Sequence, residues 1–158
     1  MTNLSYGVVS ADVLTSYDGL SFLQALIDGT LPQPPIGETM GFHLIEVAHG
    51  RAVFTGTPGM QHYNPIGTVH AGFAATLLDS CVACAVNSTL LKGETYTTLE
   101  LKLNLVRALT KDVGPVRAEG RIIHRGRTVA TSEGDLKDAS GKLYAHATTT
   151  CMIFPAKL

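Results

Sequence analysis

The segment from residue 70 to residue 88 constrains the fold of this chain more than any other part of the sequence. It contains no proline, and apolar side chains lie on almost every side of the helix that it would form. A helix that is apolar all round must be buried. Burial in a membrane would place Asp79 near the middle of the span, at a cost of about 3 kcal/mol. We therefore predict a helix buried in a globular protein that has no membrane partner.

Patterns typical of strands lie on both sides of this helix. The clearest is the run 99–105, in which four leucines alternate with polar residues. Strands are predicted at 41–48, 51–57, 99–105, 116–124, 128–136 and 143–154. Because two strands precede the helix and four follow it, we expect an α+β fold in which one antiparallel sheet wraps around one long central helix.

The chain before this core is short. An amphipathic pattern predicts a helix at 17–28, and a proline-rich stretch at 31–37 predicts an extended connector. A length of 158 residues suits one domain. We therefore predict a single domain, 1–158, made of an N-terminal helix and connector at 1–38 and a core at 39–156.

Composition excludes some partners and favours others. The net charge is −1 and no basic stripe is visible, which argues against a nucleic acid partner. Three cysteines without a disulfide pattern, and a start without a secretory signal, favour a cytoplasmic location. Only 16% of the residues are charged, which is low and fits a chain that hides part of its surface in an oligomer.

The start of the central helix is a candidate site for a negative oxygen. The first N–H groups of a helix have no partners within the helix and carry partial positive charge. The small residues Ala71 and Gly72 would let a ligand approach that backbone closely. These properties are what an oxyanion hole requires.

Asp79 lies within the same helix, among apolar neighbours. Burial should raise the pKa of this carboxyl group, and a structural aspartate here would need several donors, for which the sequence offers only the hydroxyls of Thr76 and Ser80 nearby. Nine residues separate it from His70, which corresponds to about 180° of rotation and about 13 Å of rise. The two residues therefore cannot easily act on one atom within one subunit. A site completed by a second subunit, which would also cover the free side of the helix, satisfies both constraints.

The stretch Asn-Pro-x-Gly-x-Val-His-Ala-Gly at 64–72, with an aspartate nine residues after the histidine, resembles the hotdog thioesterases of the phenylacetate-pathway (PaaI-like) type. The resemblance runs from about residue 40 to residue 154. It implies the hotdog fold and hydrolysis of an acyl-CoA, with coenzyme A as part of the substrate and no separate cofactor or metal. It also implies a homo-oligomer with shared active sites, either a dimer or a dimer of dimers (a homotetramer). The usual motif has two glycines after the histidine, and the first is alanine here.

The resemblance also implies a role for each residue of the motif. Asp79 would be the nucleophile or the general base, and the N–H of Ala71, helped by Gly72, would polarise the thioester carbonyl. Asn64 would hold water or the thioester across the interface, and His70 would fix the helix start. Thr97, or its neighbour Thr98, would assist the water or the aspartate. The alternatives are a turn-forming Asn64, a histidine that only packs, and threonines that only begin a strand.

Contacts to coenzyme A are expected from basic and aromatic residues. Arg125 and Arg127 flank Gly126 in a turn, and phosphates attract arginine. A solvated hairpin tip is the alternative. His62 and Tyr63 precede the motif and are candidates for the mouth of the site; otherwise they are ordinary loop residues.

Three functions fit these residues. The first is an acyl-CoA thioesterase acting on an aryl or a short- or medium-chain acid. The second is a hydratase acting on a CoA-linked substrate, which needs a histidine and a carboxylate working together. The third is a non-catalytic module that binds acyl-CoA, and a carboxylate beside a thioester argues against it.

Overall fold

A computed structural model describes residues 4–156 of the chain as an α+β fold. The ends of the expected 1–158 domain, residues 1–3 and 157–158, lie outside that range. The elements are α1 (Ala11–Ser16), α2 (Gly19–Ile27), α3 (Pro35–Met40), β1 (Phe42–Ala48), β2 (Arg51–Gly56), α4 (Ala71–Asn87), β3 (Glu94–Leu105), β4 (Val116–Arg125), β5 (Val129–Asp138) and β6 (Leu143–Pro155). The strands form one antiparallel sheet in the order β1-β2-β4-β5-β6-β3. The predicted hotdog arrangement of sheet and central helix is confirmed.

Three elements differ from the sequence prediction, the first being α1, since no helix was predicted before residue 17. The connector predicted as extended at 31–37 gives way to α3, because a proline suits the first turn of a helix and Gly41, at φ 68°, ends it. The strand predicted at 99–105 begins earlier, at Glu94. Its register against β6 shifts between Thr98 and Glu100, which marks a bulge at Leu99.

The central helix α4 rests directly on the sheet at two glycines. Gly120 of β4 and Gly134 of β5 are opposite each other in register. A Cβ atom on Gly120 would lie 2.2 Å from the carbonyl oxygen of Cys81, so only glycine leaves room for the helix backbone. The Ser132 hydroxyl donates to the carbonyl oxygen of Val82 at 2.7 Å and adds a polar link at the same place.

The chain covers only part of the circumference of α4. The side that faces the sheet is fully buried and includes Phe73, Leu77 and Val82. The opposite flank includes Thr76 and Asp79, which are only half-buried. The helix is therefore buried on one side and uncovered on the other within this chain. No helix among residues 4–156 is long and apolar enough to cross a membrane.

The N-terminal segment is held on the core by a buried glutamine and a close helix contact. The Gln33 side chain donates to the carbonyl oxygen of Leu26 at 3.2 Å and accepts the N–H of Leu44 at 3.4 Å. Gly19 of α2 lies against the carbonyl of Asn87 at the end of α4. These contacts join α2 both to β1 and to the central helix.

The Cys-x-x-Cys sequence of α4 is part of the packing, as its position in a buried helix predicts. Cys81 is buried, Cys84 is half-buried, and both are free thiols. Burial raises the pKa of the Cys84 thiol to about 12, so a thiolate is disfavoured near neutral pH.

We expect Gly120→Ala to lower the free energy of unfolding by at least about 2 kcal/mol, because the added methyl group would push α4 away from the sheet. Gly7→Ala is the matched control, since its Cβ would meet only Pro32 at 3.4 Å. Urea unfolding followed by circular dichroism measures both variants. Equal stability of the two would contradict close contact between helix and sheet.

Candidate active site

The start of α4 presents one backbone N–H that has no partner. His70 is the N-cap of the helix, and its Nδ1 accepts the N–H of Gly72 at 2.8 Å. The His70 N–H donates to the carbonyl oxygen of His62 at 2.7 Å. Among residues 4–156, no acceptor receives the N–H of Ala71. The expected help from Gly72 is therefore corrected: its N–H is already occupied, and Ala71 is the remaining donor.

A depression of about 330 Å³ opens at this helix start. Its lining residues are Asn64, Thr68, Val69, His70, Ala71, Ala74, the run 105–109, Tyr144 and Ala145. The exposed Arg107 brings a positive charge to the rim; its guanidinium donates to the carbonyl oxygen of Leu143 and lies 5.9 Å from the centre of the Tyr144 ring. Positive charge and a free N–H at one place suit an anionic or polarised oxygen.

The Asn64 side chain lines this depression but is largely engaged within its own loop. Its Oδ1 accepts the N–H groups of Ile66 and Thr68, and its Nδ2 donates to the Thr68 hydroxyl at 3.0 Å. This geometry is the turn-forming alternative of the sequence analysis. One N–H of the Asn64 amide is left for a ligand or a water molecule.

Asp79 lies on the uncovered flank of α4, about two turns further along the helix. A second depression of about 440 Å³ surrounds it, lined by Pro34, Phe54, Asp79, Ser80, Ala83, Cys84, Tyr96, Thr97 and Thr98. Burial raises the pKa of the Asp79 carboxyl group, and the hydrogen bond from Thr98 lowers it by a smaller amount. A half-buried carboxylate with a raised pKa is poised to accept a proton.

The structure distinguishes between the two candidate threonines. The Thr98 hydroxyl lies 3.5 Å from Oδ1 of Asp79, a long hydrogen bond, whereas Thr97 lines the depression without reaching the carboxylate. Strict alternation from Leu101 would have placed Thr97 on the helix side of β3. The bulge at Leu99 inserts one residue, so Thr98 takes that position instead. The preference for Thr97 is corrected accordingly.

Asp79 and Ala71 do not meet within one chain. The two depressions have no lining residue in common. They lie at opposite ends of β3, beside Thr98 and Leu105, which are separated by roughly 23 Å along a strand. The separation expected from helix geometry is therefore observed.

His62 and Tyr63 contact residues close to the helix-start depression but do not line it. His62 is buried, stacks on Phe73 at 4.6 Å between ring centres, and accepts the N–H of Gly59 at its Nδ1. Burial lowers the pKa of the His62 ring, which favours the neutral form. The Tyr63 hydroxyl accepts the N–H of Lys111. Neither residue lines either depression within this chain, and their expected substrate contacts remain a prediction.

Only one of the three residues in the Arg-Gly-Arg turn remains free for a ligand. Arg125 forms an ion pair with Glu94 at 2.6 Å and also contacts the carbonyl oxygen of Gly126. The Gly126 N–H donates to the carbonyl oxygen of Val129. Arg127 is exposed, and no acceptor within residues 4–156 contacts its guanidinium group. Contacts to coenzyme A by Arg125 and Gly126 would have to compete with these bonds, and the expected contacts of all three residues remain predictions.

Sequence reasoning missed the apolar wall of the Asp79 depression. Pro34, Phe54 and Tyr96 come from three separate elements, and no local pattern joins them. Tyr96 could have been found, because it precedes Thr98 by two residues and so lies on the same face of the strand. Within the described range 4–156, no group of three His, Cys, Asp or Glu side chains is placed to hold a metal ion.

Comparison with known proteins agrees with this geometry. The family model of the thioesterase superfamily matches residues 66–145. A solved phenylacetic acid degradation-related protein from Ralstonia eutropha is 32% identical, with a TM-score of 0.75 over 83% of this chain and 98% of that one. A variant of the phenylacetic acid degradation protein PaaI from Thermus thermophilus is 30% identical, with a TM-score of 0.67 over 75% of this chain and 97% of that one.

A curated relative extends the comparison to a named reaction. The 1,4-dihydroxy-2-naphthoyl-CoA hydrolase of Listeria monocytogenes is 26% identical over 67% of this chain and 85% of that protein. The chain belongs to the thioesterase superfamily. Within it, the chain is a thioester hydrolase with the hotdog fold of the PaaI-like type.

The pH dependence of turnover should distinguish the two threonines. Asp79 must be ionised to act as a base, so the rate should rise with pH through its raised pKa. Thr98→Val removes a hydrogen bond to the charged form, so the acid limb of the kcat/KM profile should move to higher pH. Thr97→Val, the matched control in the same depression, should leave the limb in place. A shift in the control but not in Thr98→Val would reverse the assignment.

Proposed function

We propose that this protein hydrolyses an acyl-CoA thioester to the free acid and coenzyme A, using Asp79 of one subunit and the Ala71 N–H of another. The observation that carries the proposal is the half-buried Asp79 on the uncovered flank of α4, with a raised pKa and a partly apolar depression beside it. The depression would receive the acyl group. Water is the acyl acceptor, and neither a metal nor a separate cofactor takes part.

The reaction follows from these two groups. The Ala71 N–H donates to the thioester carbonyl oxygen and stabilises the negative charge that develops there. The Asp79 carboxylate takes a proton from water while the water oxygen attacks the carbonyl carbon. The tetrahedral intermediate then collapses, the carbon–sulfur bond breaks, and the proton passes to the leaving thiolate. Direct attack by Asp79, followed by hydrolysis of the resulting anhydride, gives the same products through the same geometry.

A two-fold dimer built along β3 would complete the site. Within residues 4–156, β3 pairs only with β6, so its other edge is free. Apolar side chains are exposed in and near that strand, including Leu99, Leu105 and Val106. Antiparallel pairing of two β3 strands about their middle would bring Thr98 of one chain towards the Leu105 end of the other. Asp79 would then lie near the partner's helix start.

The charged part of the substrate would lie outside the acyl depression. Arg127 is exposed with a free guanidinium group, and Arg107 stands at the rim of the helix-start depression. Both are available for the phosphates of coenzyme A. A cytoplasmic location, where acyl-CoA is made and used, and a dimer of dimers complete the proposal.

We expect Asp79→Asn to bind acyl-CoA but to lower kcat by at least about 100-fold, because the proton acceptor is lost. Asp112→Asn is the matched control, since that carboxylate is exposed and lines neither depression. Thiol release from a panel of aryl- and alkyl-CoA substrates, followed with a thiol reagent, measures both. Loss of a double bond without thiol release would indicate a hydratase, and binding without any turnover in the parent would indicate a binding module.

Mixing two inactive variants should restore activity if the site is shared. Ala71→Pro removes only the proposed donor, because proline is tolerated at the first helical position and His70 already has an extended backbone. We expect each of Ala71→Pro and Asp79→Asn to be inactive alone. After subunit exchange in equal amounts, about a quarter of the parent rate should return, because half of the dimers are mixed and each has one intact site. A site contained in one chain would give no recovery.

A further inference from the structure

Tyr96 stands between two depressions on the surface of this protein. One is the depression around Asp79, and the other has a volume of about 150 Å³ and lies beneath the N-terminal helices. The second depression is lined by Leu14, Tyr17, Asp18, Gly19, Phe22, Asn87, Leu90, Glu94, Thr95 and Tyr96. Tyr96 is the residue that the two linings have in common. The two depressions adjoin at this residue, which we call the partition between them.

The partition is firmly supported. Tyr96 packs against a small buried cluster made of Val86, Leu90, Ala130, Cys151 and Ile153. Tyr96 and Cys84 both line the Asp79 depression. Burial raises the pKa of the Tyr96 phenol well above its ordinary value, so the side chain remains neutral. A neutral ring held by packing makes a fixed end wall.

The helix face beside Asp79 continues past this wall. Ala83 and Asn87 follow Asp79 at intervals of four residues, so the three side chains lie along one side of α4. Asn87 belongs to the second depression, about 12 Å beyond Asp79 along the helix axis. Leu14, Phe22 and Leu90 make part of that lining apolar, beside the charged Asp18 and Glu94. An acyl chain that extended from a thioester at Asp79 in this direction would meet Tyr96 before it reached the second depression.

We propose that Tyr96 ends the acyl-binding depression and so limits the length of the acyl chain that the enzyme accepts. This inference rests on the proposed function, because it takes the Asp79 depression as the acyl site. Without the phenol ring, the two depressions would join into one channel. That channel would run along α4 from Asp79 to the N-terminal helices and would accommodate a longer chain.

The test is the substrate profile of three variants at this position. We expect Tyr96→Ala to raise kcat/KM for long saturated acyl-CoA substrates relative to short ones by at least about tenfold, measured from acetyl-CoA to palmitoyl-CoA. Tyr96→Leu keeps apolar packing for the case in which the alanine variant does not fold, and it should shift the profile in the same direction. Tyr96→Phe removes only the hydroxyl group and should keep the parent profile.

A second measurement separates this inference from the proposed function. Binding of saturated fatty acids to the parent and to Tyr96→Leu, followed by calorimetry, requires no turnover. If the parent hydrolyses no acyl-CoA, the proposed function fails, and the length limit is still judged by whether Tyr96→Leu binds longer acids more tightly. Unchanged profiles and unchanged binding in Tyr96→Leu would overturn the inference, as would a shift in Tyr96→Phe equal to that in Tyr96→Leu.

Discussion

The backbone contact between α4 and the glycine pair of the sheet determines the rest of the structure. Gly120 and Gly134 carry no side chain that would separate the helix from the strands, so the backbone of α4 lies against Gly120, and the side chains of Cys81 and Val82 lie against Gly134. This close contact sets the rotation of the helix about its axis. The apolar side turns to the sheet, and the flank with Asp79 turns away from it. The position of the carboxylate is thus a consequence of packing.

On the half-covered flank of α4, Asp79 can be accommodated without several donors and still has a raised pKa. A fully buried Asp79 would need several donors, and a fully exposed one would have an ordinary pKa. The single long hydrogen bond from Thr98 stabilises the charged form only slightly, so burial dominates. The start of α4, at the other end of β3, carries a partial positive charge, opposite in sign to the carboxylate. A symmetric pair of chains is the simplest arrangement that joins the two.

The sequence predicted the large elements well because each has a strong periodic signal. The helix at 70–88, the six strands and the position of Asp79 all follow from spacing and polarity. Details that depend on one residue of backbone geometry did not follow. The short helix at Pro35 was missed because prolines also suit extended chain. His62 was expected at the mouth of the site, but the loop folds back and stacks its ring on Phe73.

The bulge in β3 allows one strand to serve two purposes. Before it, the even-numbered Tyr96 and Thr98 face the helix; after it, the odd-numbered Leu101 and Leu103 do so and join the core. A regular strand could direct only one of these sets inward. If the extra residue were deleted, either Tyr96 and Thr98 or Leu101 and Leu103 would turn away from the helix. The extra residue therefore shifts the alternation of the strand by one position, so that a single strand contributes both to the hydrophobic interior and to the surroundings of Asp79.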